Sequence, residues 1–334
     1  MASRPDPDRL ADRALAALTG VALGDAMGMP AQTLDRDVIQ AAYGRITGLI
    51  APMPGHPVSH GLKAGQVTDD TEQTILLARR LLSDAPDFDA AAWGRDLMDW
   101  EAGVATRGLH DLLGPSTKAA LAALARGVTP QEAGRNGATN GAAMRIVPVG
   151  IATLPDPGQI ASRVLQVSQV THGRGEALAA ASAVAMVVSQ GLEGASFEAT
   201  VDLALVAARK ASPNRDPAAH AAMADRIALA LDIAPQGEEA LARKIGTSVQ
   251  SLQSVACAFG IVRLANGDPW QSTLIAANIG DDTDTIGAIA CAMAAACTGM
   301  SGLPSGPLAK LHAANALELQ PLARDLLRLR GGIR

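Results

Sequence analysis

"GDDTDTIGAIACAMAAAC", residues 280–297, places aspartates at 281, 282 and 284 directly before a run that carries no charge. From Ile286 to Cys297 every residue is apolar or glycine, so a helix over this run is apolar on all its faces. Such a helix is buried, because no face of it gains from water. The run is also well short of the ~20 apolar residues that span a bilayer. A core helix of an all-α protein is therefore expected, with its N-terminal carboxylates directed into the middle of the protein or into a cleft.

The remaining sequence agrees with a helical core. Of 334 residues 48% are hydrophobic but only 2% aromatic, so the core is built from Ala, Leu, Val, Ile and Met. Apolar residues recur at helical spacing, with candidate helices at 8–23, 71–82, 175–189, 251–265 and 285–297 among others, and no segment alternates as a strand does. Gly, Pro and Asn clusters such as "APMPGHPVSHG" (51–61) and "GRNGATNGA" (134–142) separate the helices, but none is long enough to be an interdomain linker. One domain over residues 1–334 is expected. A net charge of −5 leaves no basic footprint for nucleic acid or an anionic membrane. Cys257, Cys291 and Cys297 lie in apolar runs without metal-ligand spacing and read as small buried hydrophobes of a reducing compartment. The N-terminal run "ALAALTGVALG" (14–24) follows Asp6, Asp8 and Asp12 rather than a basic segment, so a signal peptide is not expected and the cytoplasm is.

A second acidic box precedes another apolar stretch: "GQVTDDTEQT", residues 65–74. Taken alone it reads as a helix cap, with Asp69 and Glu72 in the spacing of a capping box. Two such boxes favour a different reading. Several partly desolvated carboxylates in one place require positive charge, and lysine and arginine are scarce in both boxes. Carboxylate and hydroxyl oxygens without Cys or His suit a hard divalent cation, Mg2+ or Mn2+, and two boxes suit two of them. The weaker landmarks are Asp25 between Gly24 and Gly28, read as a helix C-terminal turn; the glycine-rich "NGATNGAAMR" (136–145), able to offer backbone N–H groups to an anion; and His172, the histidine of "VTHGRGEA" (170–177).

Together the blocks "GVALGDAMG" (20–28), "GQVTDDTEQT", "NGATNGAAMRIVPVG" (136–150), "VTHGRGEAL" and "NIGDDTDTIGAIACAMAAACTG" (278–299) resemble the ADP-ribosylglycohydrolase family, which includes the dinitrogenase-reductase-activating glycohydrolases. The resemblance implies a single compact orthogonal multi-helix domain, all-α, with a binuclear Mg2+ or Mn2+ centre in a cleft. It places the metal ligands on Thr68, Asp69 and Asp70 and on Asp282, Asp284 and Thr285, with Asp281 standing where the family commonly has glycine. It places substrate binding on Gly137, Asn140, Gly141, Met144, Arg145 and His172. The implied chemistry is hydrolysis of an N-glycosidic ribosyl bond, with metals anchoring the ribose and activating water, and Asp69 or Asp70 handling the proton.

Two features depart from that pattern. Gln32 stands where many members have glutamate, and an amide cannot exchange protons. Aromatic residues, which grip adenine by stacking, are few, with Tyr43 and Trp100 nearest to the candidate loops. The expected substrate is an ADP-ribosylated protein or a small ribosyl compound. The alternatives are a hydrolase of a smaller, nucleoside-like N-riboside, and a non-catalytic ADP-ribose-binding relative.

Overall fold

A computed structural model describes residues 6–109, 112–211 and 216–330. His110, which with the histidines at 56, 60, 220 and 312 forms no recognisable ligand spacing in the sequence, lies outside the described residues. The first half of the chain forms α1 (Pro7–Gly28), α2 (Arg36–Tyr43), α3 (Asp69–Asp84), α4 (Ala90–Thr106), α5 (Pro115–Ala125), α6 (Pro130–Ala133), α7 (Gly141–Met144), α8 (Val147–Ala152) and α9 (Pro157–Ser168). The second half forms α10 (Gly175–Leu192), α11 (Phe197–Arg209), α12 (Pro217–Ile233), α13 (Glu238–Lys244), α14 (Ser251–Leu264), α15 (Pro269–Ala276), α16 (Thr283–Thr298), α17 (Ser305–Ala314) and α18 (Leu319–Arg330). The fold is all-α. Among the described residues extended pairing is limited to two isolated bridges, Leu34 with Asp281 and Thr139 with Gln250.

Helices α1, α10 and α16 form the centre. Every residue of α16 from Thr283 to Cys297 is buried, as its uniformly apolar sequence requires. Helices α1 and α10 are long and apolar enough to cross a membrane by length and composition, but their apolar windows are 94% and 89% buried inside the fold. The main hydrophobic cluster draws on residues from Ala14 to Leu326.

Small residues set how closely α1 and α16 approach. A Cβ on Gly24 would lie 2.1 Å from the Gly287 carbonyl oxygen, and one on Gly28 would lie 2.3 Å from the Thr283 carbonyl oxygen. Glycine at these positions lets the two backbones touch. As a result the last turn of α1, which carries Asp25, meets the first turn of α16, which carries Asp284. Helix α1 therefore runs five residues beyond the expected end at Leu23: its glycines are packing surfaces rather than stop signals.

Candidate active site

Five carboxylates converge where α1, α3 and α16 meet. Asp25, Asp69, Asp70, Asp282 and Asp284 are all less than 9% exposed. Ligand-capable oxygens of Asp25, Asp70 and Asp284 lie within 4.8 Å of one another. Thr285 Oγ1 lies 3.4 Å from Asp70 Oδ2, joining the two acidic boxes. The other Asp70 oxygen, Oδ1, is buried and has no hydrogen-bond partner. An ionised oxygen so placed is costly unless a cation sits beside it.

The arrangement explains the threonines around the first box. Asp25 accepts hydrogen bonds from the backbone N–H and hydroxyl groups of Thr68 and Thr71, between 2.5 and 3.1 Å. These bonds fix the start of α3 against α1. Thr68 is the N-cap residue of α3 but gives it no side-chain cap, and no capping box forms: Glu72 instead accepts from Trp100 Nε1 at 2.7 Å and pairs with Arg107. In the second box Asp282 Oδ2 accepts from Asn140 Nδ2, which also donates to Ser254 Oγ at 2.9 Å. Asn140 thereby holds Asp282 in place.

The electrostatics are those of crowded buried acids. Burial raises Asp25 from 3.8 to about 6, against the lowering effect of its Thr71 and Thr68 hydrogen bonds. Burial likewise raises Asp282 to about 7 despite its bond from Asn140. Asp69, Asp70 and Asp284 lie well above the usual carboxylate range, first through burial and then through repulsion from their acidic neighbours. Among the described residues, the fixed cation that faces Asp69 and Asp70 is Arg145. Arg145 is 1% exposed, and burial lowers its guanidinium to about 10 while Asp69 and Asp70 pull it back up. Arg145 donates to Gln73 Oε1, and Gln73 Nε2 lies 3.3 Å from Asp69 Oδ2.

A cavity of about 180 Å³ opens over this centre. Of the residues singled out in the sequence, Asp69, Asn140, Gly141, Met144, His172, Asp282, Asp284 and Thr285 line it. Thr68, Asp70, Gly137 and Arg145 do not line it and sit behind its walls. Gly137 packs on the backbone of Thr171, where a Cβ would lie 2.0 Å from the carbonyl oxygen. Asp281 turns away and lines a separate, more open groove of about 820 Å³ between α2 and α13, together with Arg36, Arg45 and Glu238. That groove is larger, but its arginines pair with Glu238 and Glu239, and the convergent carboxylates lie at the smaller cavity.

Gln32 lines the cavity and donates to Ser59 Oγ at 2.8 Å, and Ser59 in turn donates to the Met29 carbonyl. Among the described residues no Phe, Tyr or Trp side chain lines the cavity; Val58, Leu112, Leu113, Pro115, Met144 and Val249 supply its apolar surface. Tyr43 instead holds loops together, donating to the Pro30 carbonyl and accepting from Met53 N–H, and Trp100 is occupied by Glu72.

In the sequence Asp25 reads as a helix C-terminal turn, and Gln73 and Thr139 are not singled out. Asp25 carried a signal: it is the one charged residue in an apolar helical run from Ala14 to Met29, and such a residue is rarely buried without a partner. Gln73 and Thr139 carried none, since nothing local distinguishes a network glutamine or threonine from a surface one.

Comparison with known proteins identifies the family. The family model described as ADP-ribosylglycohydrolase matches residues 6–333. The Escherichia coli K12 protein YegU is 34% identical over 327 residues, covering 96% of this chain and 97% of that protein. The ADP-ribosyl-[dinitrogen reductase] glycohydrolase of Rhodospirillum rubrum is 29% identical over 327 residues, covering 96% and 97% respectively. A solved structure titled ADP-ribosylglycohydrolase-related protein complex superposes with a TM-score of 0.72 at 27% identity, covering 96% of this chain and 99% of that one. With a family model that matches nearly the whole chain and a fold shared with a solved relative, the chain belongs to the ADP-ribosylglycohydrolase family.

Proposed function

We propose that the protein hydrolyses an N-glycosidic bond to ribose in a reaction that depends on divalent cations, with an ADP-ribosylated acceptor as its substrate and ADP-ribose as its product. The observation that carries this reading is the centre itself: five buried carboxylates, one with an unpartnered oxygen, beside a cavity in a glycohydrolase scaffold. An all-oxygen donor set suits Mg2+ or Mn2+. Thr68, Asp69, Asp70, Asp282, Asp284 and Thr285 would hold two such ions, with Asp25, read in the sequence as part of a helix end, adding a carboxylate. When bound, the cations supply Lewis acidity to substrate and water oxygens.

The chain's own residues do the rest. Asp69 lines the cavity while Asp70 stands behind it, so Asp69 is the better placed of the two to exchange a proton with water or leaving group. Its Oδ2 is aimed by Gln73, and Gln73 is aimed by Arg145. Asn140 holds Asp282, and the aliphatic wall shields the reacting carbon from bulk water. Gln32 offers an amide rather than an acid, so it orients and does not titrate. One chain-long unit carries the site, and the three free buried thiols suit a reducing compartment such as the cytoplasm.

One observation favours the smaller-substrate reading. Pockets for drug-sized ligands run to about 300–1,000 Å³, and this cavity is below that range and lacks a Phe, Tyr or Trp platform among the described residues. On that reading a nucleoside-like N-riboside is the substrate.

Release of ADP-ribose from an arginine-ADP-ribosylated peptide, followed by chromatography with Mg2+, Mn2+ or EDTA, tests the main reading. Cation-dependent release is expected, with Asp282→Ala lowering the rate by about 10²-fold or more. Inactivity toward the peptide in cation-loaded protein, with turnover of small N-ribosides, would move the assignment to the smaller substrate.

A further inference from the structure

Thr139, one residue before Asn140, lines the cavity and is 6% exposed. Behind it a series of side chains leads to the buried guanidinium. Thr139 Oγ1 lies 3.0 Å from His172 Nε2. The other ring nitrogen, Nδ1, lies 2.7 Å from Thr171 Oγ1 and 3.3 Å from Arg145 Nη2. Thr171 Oγ1 accepts from Arg145 Nη2, which leaves the Thr171 hydroxyl hydrogen free for the imidazole.

The protons of this network can be placed by elimination. A guanidinium only donates, so a proton on Nδ1 would face the Arg145 hydrogens; Nδ1 is therefore assigned as the acceptor, with the Thr171 hydroxyl hydrogen turned toward it. Burial, reinforced by the Arg145 charge, keeps the ring neutral. A neutral ring that accepts at Nδ1 carries its proton on Nε2. That proton goes to Thr139 Oγ1, so the threonine's own hydrogen must point elsewhere. No described protein group accepts it, and the cavity is beside it.

We propose that Thr139 is a substrate-binding residue whose hydroxyl is fixed as a donor to a ribosyl-substrate oxygen, and that Arg145 and His172 are the positioning residues that fix it. The assignment rests on the ribosyl-hydrolase reading of the cavity. It gives Arg145 a role in ordering two opposed groups: through Gln73 it aims the acceptor Asp69, and through His172 it sets the donor Thr139. It also accounts for Gly141. A Cβ there would lie 2.7 Å from His172 Cε1, in the space the ring needs.

Nitrogen-15 NMR of histidine-labelled, Mg2+-loaded wild-type protein reads the tautomer without any variant. The expected result is a protonated Nε2 and an unprotonated Nδ1 at His172; a proton on Nδ1 overturns the relay. Calorimetric titration with ADP-ribose then compares wild type, Thr139→Val and Thr139→Ser. Loss of one donor is expected to weaken binding about tenfold in the valine variant, and serine is expected to restore it to within about twofold. Equal affinity of wild type and valine variant overturns the donor role. A wild-type protein that binds no ADP-ribose overturns the functional reading and the ligand assigned to Thr139, while the NMR result still decides whether the hydroxyl is held as a donor.

Discussion

Two aspartates show how differently the same side chain is used. Asp25 accepts hydrogen bonds from two threonines at the acidic centre, whereas Asp281 is kept out of it by its backbone. Asp281 has φ +61° and pairs with Leu34, donating its N–H to the Leu34 carbonyl at 2.8 Å. The left-handed conformation costs a non-glycine residue about 1 kcal/mol, although aspartate tolerates it better than most. Its carboxylate also adds negative charge beside Asp282. Asp281→Gly is therefore expected to raise stability in denaturant melts by up to about 1 kcal/mol and to leave Mn2+ affinity unchanged. A clear loss of Mn2+ affinity would instead mean that this carboxylate belongs to the centre. At this scale the sequence motifs gave the acidic boxes correctly as places of crowding, but pair-specific partners such as Gln73 with Arg145 depend on segments 72 residues apart and were out of reach.

Packing between elements decides whether those residues meet at all. The uniformly apolar run 286–297 announced a central helix, and α16 is that helix. The same logic located α10 and most of α1. The end of α1 was less legible because glycine ordinarily weakens a helix interior, and only the partner helix reveals why it is needed there. Gly24→Ala tests this directly. The added methyl would fall 2.1 Å from the Gly287 carbonyl oxygen, a backbone atom that cannot rotate away. Separation of α1 from α16 would follow, with a loss of about 3 kcal/mol and weaker cation binding, because Asp25 and Asp284 move with their helices. Urea unfolding and Mn2+ titration of the variant measure the two effects together. An alanine variant as stable as wild type would show that the helices do not pack this closely. Gly237→Ala makes a useful comparison, since it sits at φ +94° with open space around it and is expected to cost only local backbone strain without touching the centre.

The whole molecule is built around a cluster of buried acids, and this gives its stability a definite pH dependence. Asp25 at about 6 and Asp282 at about 7 lie above the ~3.9 of an unfolded aspartate. In that interval the native state binds more protons than the unfolded state, so stability falls as pH rises. For metal-free protein the favourable contribution of these groups is fully present below pH ~4 and is lost as pH passes through about 6 and then about 7. For Asp25 alone, a rise from 3.8 to about 6 corresponds to roughly 3 kcal/mol. Cation binding has the opposite dependence, because it requires the deprotonated carboxylates and strengthens as they ionise. The two effects separate in thermal melts run from about pH 5 to pH 8 with EDTA or with Mg2+. With EDTA the Tm is expected to fall across the range. The gain in Tm on adding Mg2+ is expected to be small at the acidic end and to grow toward the alkaline end. A Mg2+ gain that is flat with pH, or an EDTA-treated protein whose Tm rises with pH, would show that the buried aspartates are neutralised by the protein itself, leaving the fold no need of the cation.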